Sequence, residues 1–173
     1  MKSSKIAILA ILAILTVVLA GSASAFDLGF LSGDSEPQQV TVGGIDFNVP
    51  AGFTENEDYR MENESSSSGS DFYMSAAGFE DDTKKKAIYI MVADYGEYEV
   101  TDDILDIFAE SMDGEKKTIN GQSGYIANQT SANSDSSLLD VDDEVYVFLY
   151  QQDGDLVFLG ATDQSYFSDI IIE

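Results

Sequence analysis

The stretch "EVYVFLYQQDGDLVFLGATD", residues 144 to 163, decides the fold. Asp153-Gly154 stands between two runs rich in Val, Phe, Leu and Tyr. Both residues tolerate the positive φ that a two-residue hairpin turn requires. The runs are apolar on alternate faces, so both strands belong in the middle of a sheet covered on two sides. Upstream, "EKKTINGQSGYIANQ" (115–129) carries Asn120-Gly121, which predicts a second hairpin by the same rule.

Further out, "TDDILDIFAESMDG" (101–114) has the helical period. Ile104, Leu105, Phe108 and Met112 fall on one stripe. Thr101 is placed to cap this helix, Asp102 and Asp103 to favour its positive end, and Gly114 to terminate it. "DFYMSAAGF" (71–79) and "KAIYIMVADY" (86–95) read as two strands across a charged turn. In the second, Ile88, Ile90 and Val92 alternate with Tyr89 and Met91, which predicts a central strand. "VTVGGIDFNVPAGF" (40–53) predicts two short strands around Gly43-Gly44, the second stopped by Pro50. "QSYFSDIIIE" (164–173) predicts a short closing helix with Tyr166, Phe167, Ile170 and Ile171 inward, or alternatively an edge strand. "ENEDYRMENESSSSGS" (55–70) is polar throughout and is read as a mobile loop. The sum is an α+β fold, a mostly antiparallel twisted sheet of about six to seven strands with one to two packed helices.

The first 25 residues have the layout of a secretory signal: Lys2 and Lys5, an apolar run from Ile6 to Ala20, then Ala23-Ser24-Ala25. The expected organisation is a signal peptide at 1–25, an extended segment at 26–38 and a single α+β domain at 39–173. The alternative is an anchor formed by an uncleaved N-terminal helix. The apolar run is shorter than the roughly 20 residues of a stable span, which favours cleavage.

The chain has 32 acidic against 8 basic residues, a net charge of −24, and loss of Lys2 and Lys5 with the signal takes it to −26. Such a field repels phosphate backbones and anionic headgroups, so nucleic acid and lipid-headgroup binding through basic patches are strongly disfavoured, and neither is expected as a partner. The sequence holds no cysteine, histidine or tryptophan. Disulfides, Ser-His and Cys-His nucleophiles, thiol redox chemistry and the usual zinc and copper sites are thereby removed.

"IDFNVPAGF" (45–53), followed at a distance by "TINGQSGYIAN" (118–128), resembles a pattern of small secreted proteins of methanogenic archaea. The first string also resembles the opening of PsbP-like α+β domains, in which a hairpin leads into a twisted antiparallel sheet flanked by helices. The resemblance implies that fold and an exported archaeal setting. It carries over no catalytic or binding residue.

Four candidate sites follow from residue chemistry. In "NSDSSLLDVDDEV" (133–145), Asp140, Asp142 and Asp143 are candidate ligands for a weak, partly hydrated Ca2+. An EF-hand register starting at Asp140 puts Val145 where glycine is needed and Gln151 where a bidentate glutamate is needed, so a solvated loop is the competing reading. Asn63 in "NES" and Asn128 in "NQT" satisfy the N-glycosylation acceptor rule. Asn63 is expected in the serine-rich loop and Asn128 at a partly buried strand end. Paired carboxylates of glycosidase type cannot be picked out among so many acids without geometry. Tyr95 and Tyr98, expected in an exposed loop, could floor a carbohydrate groove, although half-buried sheet positions are the commoner use of tyrosine.

The functional expectation is an exported, acidic, non-catalytic protein, extracellular or associated with the cell surface, with a binding or structural role and a cell-envelope component or another surface protein as the expected partner. It takes no cofactor, and its oligomeric state is open. The alternatives are a secreted hydrolase using paired carboxylates and a low-affinity Ca2+-binding surface protein.

Overall fold

The computed structural model describes residues 36–65, 72–130 and 144–172. In chain order the strands and helices are β1 (Gln38–Val42), β2 (Ile45–Val49), β3 (Thr54–Ser65), β4 (Tyr73–Asp81), β5 (Lys86–Asp94) and α1 (Asp102–Ser111), then β6 (Glu115–Ile119), β7 (Gln122–Thr130), β8 (Glu144–Gln152), β9 (Asp155–Ala161) and α2 (Tyr166–Ile170). β3 to β9 form one seven-stranded sheet in the order β3-β4-β5-β9-β8-β7-β6, and every pairing in it is antiparallel. β1 and β2 form a separate hairpin. The fold is α+β, as the sequence patterning predicts.

The opening stretch behaves as its alternation requires. Asp153 and Gly154 both take positive φ, 55° and 96°, and β8 pairs with β9 from Gln152 opposite Asp155 to Tyr146 opposite Ala161. Gly43-Gly44 and Asn120-Gly121 make the equivalent turns, again with positive φ at both positions. β9 then pairs with β5, joining the β3-β4-β5 meander to the β6-to-β9 meander, while α1 carries the chain from β5 to the far edge at β6.

Each sheet face carries its own apolar layer. On one face Ile88, Ile90, Val92, Phe148, Tyr150, Val157 and Leu159 pack under the β1–β2 hairpin and α2, which contribute Phe47, Val49, Phe167 and Ile170. On the other, Met91, Val147, Leu149, Leu156 and Phe158 pack under Leu105 and Phe108 of α1. β5, β8 and β9 are thus apolar on both sides because both sides are covered. Each fully buried Phe or Leu in these layers contributes about 2–3 kcal/mol of transfer free energy.

Three local expectations are corrected. Residues 55–65 of the stretch read as a mobile loop belong to strand β3; its residues 66–70 lie outside the described residues. β3 is an edge strand, half-buried at most, and extra residues break its register with β4 between Asn56 and Met61 and again between Met61 and Glu64, so no period of two survives. Tyr59 in the first bulge lies close over Gly78 of β4, where an added Cβ would meet the tyrosine Cβ at 2.9 Å. At α1, the Thr101 side chain makes no capping hydrogen bond; its carbonyl instead accepts from the N–H groups of Ile104 and Leu105. The left-handed residue that ends α1 is Asp113 (φ 54°), while Gly114 donates its N–H to the Ala109 carbonyl at 2.8 Å.

Candidate functional site

Two grooves open on the surface of the described residues. The first, of about 410 Å³, lies between α1 and the β6–β7 hairpin. Its walls are Asp102, Leu105 and Asp106 of the helix, facing Lys116, Lys117, Thr118, Ser123 and Tyr125 of the strands. The Tyr125 hydroxyl donates to Asp106 Oδ1, and Lys116 Nζ lies 3.8 Å from the same oxygen and 5.4 Å from the centre of the Tyr125 ring. The Tyr125 hydroxyl and the Asp106 carboxylate hold the Lys116 ammonium above its ordinary pKa. Lys116 and Asp106 are more than half exposed, so this trio adds little to stability and presents donors and acceptors to solvent. At the floor of the groove Gly124 allows β7 to press on β8; an added Cβ would lie 2.2 Å from the Leu149 carbonyl oxygen.

The second groove, of about 420 Å³, lies where the tip of the β1–β2 hairpin meets β3, β4 and β5. Arg60 organises it: Nη1 donates to Glu55 at 3.1 Å, Nη2 to Glu62 at 2.8 Å, and Nη2 also to the Thr41 carbonyl at 3.3 Å. The hydrogen bond to Glu62, with Glu55 beside it, raises the guanidinium pKa. Tyr73, 43% exposed, and Asn63 also line this groove.

Asp81 is the buried carboxylate among the described residues, at 2% exposure. Its Oδ1 accepts from Thr83 N–H, Thr83 hydroxyl and Lys84 N–H at 3.1, 2.6 and 3.1 Å, and Lys84 Nζ is 2.9 Å from Oδ2. The Lys84 ammonium and the Thr83 hydroxyl hold its pKa down at about 2. Every partner among the described residues belongs to the β4–β5 turn, so Asp81 is a brace for that turn. Burial raises the carboxyls of Glu80 and Asp155, aided by neighbouring acids, yet neither lines either groove. Burial also raises the Tyr89, Tyr95 and Tyr150 hydroxyls, which are enclosed and find no hydrogen-bond partner among the described residues.

Asp140, Asp142 and Asp143 lie outside the described residues, and among the described residues no three His, Cys, Asp or Glu side chains gather as metal ligands. Asn63 is exposed, but on β3 and not in a loop; it is the extra residue of a bulge, at φ 50°. Asn128 is exposed on β7 opposite Tyr146, which corrects the expected partial burial. Tyr98 is open at 72%, whereas Tyr95 is half-buried and stacks on Phe72 at 5.4 Å, so the two do not share an exposed aromatic floor. The Asp106, Lys116 and Tyr125 trio has no sequence signal, because a helix face meets a hairpin nineteen residues on. Arg60 and its two glutamates were hidden within the stretch read as loop.

No family model, no curated protein and no solved structure matches the chain.

Proposed function

We propose that this is an exported, acidic protein that acts without catalysis, by binding or as a structural component at or outside the cell surface. The observation that carries the reading is where the charge sits. Of the many acidic side chains described, Asp81 alone is buried, so the acidic charge of the described residues is worn almost entirely on the outside of a sheet covered on both faces. A carboxylate shell of that density holds water and counterions and keeps the molecule apart from anionic surfaces and from its own copies. The signal-like residues 1–25 and the resemblance to secreted archaeal proteins support the exported setting. A hydrolase would need paired carboxylates in a cleft with one pKa raised. The raised carboxyls, Glu80 and Asp155, stand away from both grooves, which favours binding over hydrolysis.

Expression of the full chain in a secreting host, followed by fractionation and N-terminal sequencing, tests the proposal. The expected product lies outside the cytoplasm and begins at Phe26. An intact N-terminus on a cytoplasmic product would overturn it.

A further inference from the structure

We propose that Asn63 is an N-glycan acceptor, and that it is used in preference to Asn128. The proposal rests on the exported reading, since the acceptor must meet a transferase during or after translocation.

Three features converge on Asn63. It heads the triplet Asn63-Glu64-Ser65, which meets the acceptor rule. It is exposed on β3, which lies at the end of the strand order and, among the described residues, has no strand paired along its outer edge. Between Met61 and Glu64, β3 holds two residues opposite Ser75 alone, and Asn63 is the second of them, at φ 50°. The extra residue of a bulge is turned out of the ladder and its strand bends there, which is the presentation an acceptor amide needs. Its own N–H is tied to Ser75 Oγ at 3.0 Å, which fixes the bulge. Tyr73, 43% exposed in the same groove, gives the first sugar a ring face to pack on.

Asn128, although exposed as well, differs in its backbone setting. It is a regularly paired residue of β7, directly opposite Tyr146, and directly opposed residues share a sheet face. A glycan there would compete for space with the Tyr146 ring, which packs against the core. The bulge removes that conflict at Asn63.

The donor is an oligosaccharide joined through its first sugar to a polyprenyl phosphate. Asn63 Nδ2 attacks C1 of that sugar, the C1–O bond breaks, and the electron pair leaves with the phosphate. An N–C1 bond forms, and one amide proton passes to the base of the transferase.

The test is mass analysis of the full chain purified from a host that transfers such oligosaccharides to exported proteins. Trypsin separates the sites, because Arg60 and Lys84 bound a peptide 61–84 that holds Asn63, whereas Asn128 falls in the peptide following Lys117. The expected result is a single oligosaccharide mass on peptide 61–84, absent in Asn63→Gln and Ser65→Ala and retained in Asn128→Gln. Exported chain with an unmodified 61–84 peptide, or with sugar on Asn128 alone, overturns the proposal. A second form, the same chain behind an established leader, separates the two claims. If only that form is exported and its Asn63 carries sugar, the acceptor assignment stands and the export reading fails. If its Asn63 is bare, the acceptor assignment fails.

Discussion

Asp81 shows how one side chain can be buried and charged at little cost when its partners come from its own turn. Two backbone N–H groups, a hydroxyl and an ammonium surround it, and the pKa falls from the ordinary 3.8 to about 2. Because the folded value lies below the unfolded one, the stabilisation is complete above about pH 5 and is lost as the pH falls towards 2. Asp81→Asn should therefore lower stability by about 1–2 kcal/mol at neutral pH, the low end of the range for charged hydrogen bonds, since Lys84 is exposed to solvent. Urea unfolding of both proteins between pH 2 and 7 checks this: the gap between them should close in acid. A gap that stays constant with pH would mean that the carboxylate charge plays no part.

At the scale of elements, the β6–β7 turn is coupled to α2 through one residue. Asn120 takes the positive φ of the turn, and its Nδ2 donates to the carbonyls of Ser168 and Ile171 at 2.7 and 3.0 Å. Asn120→Gly keeps the turn and removes both bonds, so a loss of about 1–2 kcal/mol is expected. Asn120→Ala should cost about 1 kcal/mol more, from a side chain held at positive φ. Thermal unfolding of the pair separates the contributions, and equal stability of the two variants would contradict the account. This turn, its Gly43-Gly44 and Asp153-Gly154 counterparts, the two-faced β5 and the stripe of α1 were all legible in the sequence, because each is encoded by residues a few places apart. β3 was not legible: its bulges at Asn56–Met61 and Met61–Glu64 erase the alternation, and at a half-covered edge few of its side chains need be apolar. The first groove was not legible either, since Asp106 and Tyr125 meet only after α1 has crossed the sheet. The sequons were legible as triplets, whereas the difference between them depends on a bulge and a cross-strand neighbour.

At the scale of the whole molecule, two well-filled apolar layers hold together a chain whose surface charges repel one another. Residues 26–173 carry six cations against 32 acidic side chains, a net charge of −26. Self-repulsion of this kind destabilises the compact state and is relieved by salt over a Debye length of about 10 Å at 0.1 M. The central claim is that the carboxylates act collectively, as a hydrated shell, and not as ligands of one bound cation. Thermal melting of the domain at low salt and in NaCl, MgCl2 and CaCl2 at matched ionic strength tests it most directly. The account predicts that the melting temperature rises to the same extent in all three salts; a rise specific to calcium that saturates at low concentration, as binding to a folded-state site requires, would contradict it.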